Sequence, residues 1–346
     1  MTAMEGGAMT RKTALTGAPA PSVEDADAQP VLECEGLAVR YDAPGGRVAR
    51  AVDGVNLRLR PGEILALAGE SGCGKTTLAR TLLGLERPSE GTVYFRGRPL
   101  GYRPRDLKAY RREAQLVLQD PSGALNPRHT VYEAVAEGLR IHGLHADERE
   151  RVADALSRAG LRPAEKFFLA YPHELSGGQR QRVVIAGALV LDPSVIVADE
   201  PVASLDASVR GEILALLMRL RDELGLAALV VTHDLGLAWN IADRIAVMYL
   251  GRIVEYGEVD AVLTDPQHPY TRALVSILPG SPAAPQVLTG EPPDATAVPG
   301  GCRFHPRCPE LRSGAADSAG AAGACRGTPL PVLGAGEAGV ACHLRT

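Results

Sequence analysis

The 346-residue sequence predicts an α/β fold: a strand-and-helix core around a Gly-rich loop, an N-terminal antiparallel β subdomain, an inserted α-helical subdomain, and a small irregular Cys-containing C-terminal extension. Three observations carry this. EILALAG (63–69) is an apolar run of strand length that enters a Gly-rich loop and then an amphipathic helix. VIVADE (195–200) and LVVTHD (229–234) repeat the theme of a buried strand ending in polar residues. Between these runs, residues 130–174 are rich in Ala, Glu and Arg and carry helical periodicity without strand signals.

Taken in order, residues 1–29 have no apolar stretch of the kind a signal peptide needs, and their Gly, Ala, Pro, Thr and Asp predict disorder. VLECEGLAVRY (31–41) and AVDGVNLRLR (51–60) alternate apolar and polar residues, so they read as strands paired across the turn DAPGG. TTLARTLLGLE (76–86) follows the Gly-rich loop as a helix expected to run until Pro88 stops it. TVYFRG (92–97) and QLVLQ (115–119) are short strands, and the helical insertion spans about 120–180. The core resumes with VIVADE, a helix from Ser208 to Leu224, the strand LAALVVTH (226–233) and a hairpin in RIAVMYLGRIVEYG (244–257). A short helix in HPYTRALVSIL (268–278) leads into a Pro-, Gly- and Ala-rich tail, whose GAADSAGAAGA (314–324) predicts a flexible loop. The expected units are 1–29, 30–265 and 266–346.

Composition narrows the function. Hydrophobic residues make up 45% and charged residues 23%, and the net charge of −4 lacks the basic excess of a general nucleic-acid binder. No apolar run approaches the roughly 20 residues that cross a bilayer. The chain is therefore expected in the cytoplasm, with any membrane role borrowed from partners.

GESGCGKTT (69–77) matches G-x-x-x-x-G-K-S/T in full, in the strand–loop–helix setting that the motif requires, which predicts a P-loop NTPase core. A chance Gly-rich turn does not reproduce both the eight positions and the setting. Gly69, Ser71, Gly72, Cys73, Gly74, Lys75, Thr76 and Thr77 are the expected nucleotide-binding residues. Backbone N–H groups and the helix N-terminus surround phosphates, Lys75 contacts the β- and γ-phosphates, and Thr76 ligates Mg²⁺. Asp199 is the further Mg²⁺ residue, and Glu200 the base for the attacking water. Either acid alone is more often a solvated strand end; the upstream loop changes that reading. His233 ends another apolar strand, where parallel topology sets it beside the same phosphates.

LSGGQRQR (175–182), one helix upstream of VIVADE, completes a set that resembles the ATP-binding cassette ATPases over roughly residues 31–280. The resemblance implies that Ser176, Gly177, Gly178 and Gln179 face the γ-phosphate bound by a second cassette, so that one chain cannot complete a site. It implies that Tyr41 stacks on adenine, where an edge-strand Tyr packed on a neighbour is the plainer reading. It gives Gln119 a role in sensing Mg²⁺ and water, and Asp206 a role in communication across the dimer. Cys73 reads as a small filler and Cys34 as core.

QDPSGALNPR (119–128), HPYTRAL (268–274), GEPPD (290–294), GCRFHPRCP (301–309) and VACH (340–343) resemble the peptide/nickel importer ATPases, closest to the F-type ATPase of oligopeptide and dipeptide importers. Gly187 for the family's Arg, ASLD for SALD and Ala124 for Ser depart from the pattern without removing a reacting group. The implied partners are a second ATPase subunit (a D-type sibling or another copy), two integral membrane permease subunits and an extracytoplasmic substrate-binding protein. Nucleic acid is not among them, and the implied place is the cytoplasmic face of the membrane, as a peripheral subunit. Peptides lead as cargo, with nickel chelates or oligosaccharides as alternatives. The soluble cassette proteins of repair, translation or cluster assembly are the rival class; they carry a long coiled coil, a second cassette or no such extension.

Four of the six cysteines, Cys302, Cys308, Cys325 and Cys342, lie in the extension, with five, sixteen and sixteen residues between them. Disulfides are uncommon in the cytoplasm. Free thiols, zinc and a 4Fe–4S cluster stay open on spacing alone, although zinc usually shows closer pairs. Members of the resembled family with this pattern hold a 4Fe–4S cluster, which the resemblance favours here in a structural role.

Overall fold

The computed structural model describes residues 29–335 and 338–345. The segment expected to be disordered lies, apart from Gln29, outside them. Strand β1 (Leu32–Ala43) pairs antiparallel with β2 (Arg47–Leu59) across the expected turn, and β3 (Ile64–Ala68) is buried at every residue. Helix α1 (Lys75–Leu82) follows the Gly-rich loop, and then come β4 (Glu90–Phe95) and β5 (Arg98–Pro99).

Helix α1 stops well before Pro88. Gly84 takes φ +62°, its N–H donates to Thr81 O at 3.0 Å, and the Leu85 N–H donates to Arg80 O at 2.9 Å. This pair of bonds closes the last turn with a glycine in the left-handed region, so the helix is ended by its own cap and not by the proline.

Helix α2 (Pro104–Glu113) and β6 (Ala114–Val117) precede the helical insertion: α3 (Pro121–Ala124), α4 (Val131–His142), α5 (Glu148–Arg158) and α6 (Gly177–Leu189). Thr130 and Glu133 form a reciprocal capping box at the start of α4. The core resumes with β7 (Val195–Asp199), α7 (Ala207–Leu224), β8 (Ala227–Thr232), α8 (Leu235–Ile241), β9 (Arg244–Tyr249) and β10 (Arg252–Glu258). Then come α9 (Val259–Thr264) and α10 (Pro269–Ser276).

The extension is more ordered than its composition suggests. GAADSAGAAGA is not a loop: it contributes α12 (Ala315–Ser318) and the start of α13 (Ala322–Gly327), after α11 (Pro309–Arg312). Alanine is the best helix former, and Ala316, Ala322 and Cys325 gain burial on one side. Strand β11 (Gly339–Val340) returns to the core and pairs antiparallel with β10.

Two sheets result. β2, β1, β4 and β5 form an antiparallel one, and β11-β10-β9-β3-β8-β7-β6 a mixed one, parallel from β9 to β6. Alternate residues of the central strands serve opposite faces. Ile64, Ala66 and Ala68 pack with the helical insertion, while Leu65 and Leu67 pack with the antiparallel sheet and α1. Both faces being covered explains the unbroken apolar runs, and the polar ends of β3, β7 and β8 emerge together at one edge.

Candidate nucleotide site

At that edge Gly69, Ser71, Gly72, Gly74, Lys75, Thr76, Thr77, Gln119, Asp199, Glu200 and His233 line one cleft. Gly74 opens α1 at φ +108°, and a Cβ there would sit 2.0 Å from Ala51 O, so the loop tolerates no side chain at this turn. Lys75 is buried, and its Nζ donates to Gly69 O at 2.7 Å and Glu70 O at 2.8 Å. The loop thus curls around the ammonium. Cys73 is buried behind it, with Sγ 3.8 Å from Nζ, in the space-filling place expected.

Asp199 ends β7 and hydrogen-bonds Thr76; burial and the neighbouring Glu200 hold its carboxyl above the ordinary range despite that bond. A half-buried carboxylate beside a hydroxyl is the donor set a hard divalent cation satisfies. Gln119 lies two residues beyond β6 on the same cleft. These three side chains fit Mg²⁺.

Glu200 takes φ +48°, a left-handed conformation that costs a non-glycine residue about 1 kcal/mol or more. It is held there from both sides. Its N–H donates to Val231 O at 2.9 Å, and its Oε1 accepts the His233 N–H at 3.0 Å and contacts His233 Nδ1 at 2.6 Å. His233 and Glu200 form one unit at the ends of β7 and β8.

Other expected residues stand apart from the cleft. Ser176 caps α6 in a capping box with Gln179, and Gly177 and Gly178 begin that helix; none of the four lines the cleft. Asp206 caps α7 through Val209 N–H at 3.1 Å and also accepts from Ser208 Oγ at 2.9 Å. Tyr41 is half-exposed on β1, hydrogen-bonded to Glu86 and Thr77 beside α1.

Residues that the sequence did not assign to the site complete it. Ala51, Leu274 and Ile277 line the cleft, and Glu70 is gripped from the extension by Arg307 and Tyr270. HPYTRAL marked the neighbourhood of Leu274, but no local pattern tied it to the phosphate loop.

Cys302, Cys308, Cys325 and Cys342 line a second, small cavity with His268, His305 and His343. Burial, with the other three thiols adding, pushes the Cys302 thiol up to about 12. Among the described residues no group of three or more His, Cys, Asp or Glu side chains is already set as metal ligands. No helix among them is long and apolar enough to cross a membrane.

Comparison with known proteins places this arrangement. Residues 52–203 match the ABC transporter family, and residues 254–314 match the oligopeptide/dipeptide transporter C-terminal region. A putative oligopeptide transport ATP-binding protein of Bacillus subtilis, YkfD, is 43% identical over 91% of this chain and 95% of its own length. The Haemophilus influenzae dipeptide transport ATP-binding protein DppF is 45% identical over 81% of this chain and 88% of its own. The oligopeptide transport ATP-binding protein OppF of Escherichia coli is 42% identical over the same shares. Among solved structures, cbiO1 of Clostridium perfringens, part of the cbiONQ transporter complex, superposes with a TM-score of 0.61 at 32% identity, over 68% of this chain and 92% of that one. The post-hydrolysis dimer of the cassette MJ0796 with ADP and Pi gives 0.59 at 32% identity, over 66% and 98%. This chain belongs to the ATP-binding cassette family of transporter ATPases, in the branch that carries the oligopeptide/dipeptide transporter C-terminal region.

Proposed function

We propose that this chain is the ATP-hydrolysing subunit of an importer for di- or oligopeptides. The observation that carries the reading is one cleft holding Lys75, Asp199, Glu200 and His233, in a chain that also bears the peptide-transporter C-terminal region. In this reading Lys75 and the loop N–H groups hold the phosphates. Glu200 orients the water that attacks the γ-phosphorus and takes up its proton, and His233 fixes the carboxylate. Thr76, Asp199 and Gln119 hold Mg²⁺, which when bound offsets phosphate charge.

The signature residues lie off the cleft in a capped helix end, which supports a head-to-tail pair in which each chain's Ser176–Gln179 segment meets its partner's phosphates. The partner is a D-type sibling or a second copy. Tyr41 flanks the adenine, and Asp206, rigid at its cap, faces the partner. Two membrane permease subunits dock near Gln119, with an external binding protein supplying cargo, and the cassettes sit peripherally at the cytoplasmic face.

Replacing Glu200 by Gln keeps the acceptor for His233 but removes the base. ATP turnover by Glu200→Gln is expected to fall by at least ~10²-fold, with nucleotide affinity retained and an ATP-dependent dimer accumulating. Phosphate release and size-exclusion chromatography check this; near-normal turnover removes Glu200 from the role.

A 4Fe–4S cluster on Cys302, Cys308, Cys325 and Cys342 extends the reading. Its support is the single cavity lined by all four thiols, and His268 on the same wall. His268 Nδ1 accepts the Tyr270 N–H at 3.0 Å, leaving the proton on Nε2, which is buried and without a partner. A sulfur cluster would give that N–H an acceptor, and would supply a cross-link, not chemistry on ATP. Anaerobically purified protein should carry about four irons per chain; one zinc and no iron would sink this assignment.

A further inference from the structure

The phosphate loop is held from behind by the C-terminal extension. Arg307, between Cys302 and Cys308 and 5% exposed, donates from Nη1 to Glu70 Oε2 at 2.6 Å and from Nη2 to Glu70 Oε1 at 3.0 Å. Glu70 is the second residue of the phosphate loop. Its N–H donates to Tyr270 Oη at 2.8 Å, and its carbonyl accepts from Lys75 Nζ at 2.8 Å. All three hydrogen-bonding parts of Glu70 are therefore engaged, two by residues beyond the nucleotide-binding core and one by the lysine that meets the phosphates.

The clamp has a rigid mounting. Tyr249 and Tyr270 pack at 4.7 Å between ring centroids, Phe304 closes on both at 5.1 and 5.4 Å, and Arg307 Nη1 reaches Tyr249 Oη at 3.5 Å. Among the described residues Arg307 pairs with no other carboxylate. A bidentate fork to one carboxylate fixes direction as well as distance, which a point charge does not.

We infer that Arg307 is a positioning residue for the nucleotide site: it clamps Glu70 so that the phosphate loop and Lys75 are already arranged to receive phosphates. The extension is then a structural wall of the ATP site, and the order of the segment around Arg307 sets nucleotide affinity. The inference rests on the nucleotide-site reading above, but not on what the thiols hold.

The test uses the full chain with Mg²⁺ and a fluorescent ATP analogue. Arg307→Lys keeps the charge and loses the fork. It is expected to weaken binding about tenfold, the equivalent of one charge-assisted hydrogen bond, raising KM while kcat holds. Glu70→Gln should do the same, and the double variant Arg307→Lys/Glu70→Gln should be no worse than the singles, because the same contact is lost in each. Reciprocity supplies an arm needing no variant: ATP must slow amide hydrogen exchange at residues 302–308 of the unmodified protein. Affinity within twofold of the parent in folded Arg307→Lys, or exchange at 302–308 indifferent to ATP, overturns the clamp. If the variants fail to fold, the exchange arm decides alone. Parent protein that binds no ATP analogue removes the site reading itself, whereas iron-free protein that still shows the affinity loss keeps the clamp.

Discussion

Asp53 and Arg303 show how single residues fasten the extension to the core. Arg303 donates to the Asp53 carboxylate and, from Nη1, to Leu250 O at 2.6 Å. Burial alone would raise the Asp53 carboxyl, but the Arg303 guanidinium, with Arg252 and Arg50 adding, overrides it and holds it below its ordinary 3.8. The unfolded chain therefore binds more protons than the folded one as the pH falls. The stabilisation is complete above 3.8 and lost as the pH drops through the lower folded value. Asp53→Asn leaves Arg303 buried beside a neutral group and should cost roughly 3 kcal/mol at pH 7. Urea titrations at stepped pH should show the gap from the parent narrowing below about 4. A gap that stays constant in acid would place the loss in packing, not charge.

Elements are bounded here by their own caps more than by the prolines around them. Gly84 closes α1, and a Cβ there would lie 2.8 Å from Leu107 Cδ2 and 3.2 Å from Leu100 Cδ2, both flexible side-chain ends. The backbone is the larger obstacle, since φ +62° disfavours any L side chain. Gly84→Ala is expected to lower unfolding free energy by about 1–2 kcal/mol, read as a lower urea midpoint with unchanged slope. Ser176 and Asp206 act by the same capping logic, so two positions tied to motifs are also helix starts. A motif residue can thus be fixed by local structure before any partner arrives.

At the scale of the whole molecule, the extension behaves as part of the cassette. β11 adds to the edge of the mixed sheet, Asn56 Nδ2 donates to Leu333 O at 2.9 Å, Arg252 Nη1 to Leu330 O at 3.0 Å, and Arg272 pairs with Glu310 at 2.7 Å. Phe304, 1% exposed, joins the same apolar cluster as β3 and the helical insertion. A tail rich in Pro, Gly and Ala therefore borrows the core of its neighbour instead of building one.

The phosphate loop, VIVADE, His233 and the signature were legible in the sequence because phosphate chemistry needs contiguous N–H groups, and strand-end acids need an apolar run before them. Those constraints are local and leave a spacing to read. The end of α1 was less legible, since Gly84 and Pro88 both signal a stop and only the backbone chose between them. The Arg307–Glu70 fork left no trace at all. Its partners are 237 positions apart, and their meeting depends on where α10 and the Tyr249–Tyr270–Phe304 packing set the chain. Sequence marked the motif residues that line the cleft; tertiary structure decided which residue holds them in place, because an ion pair has reach in space but no period along the chain.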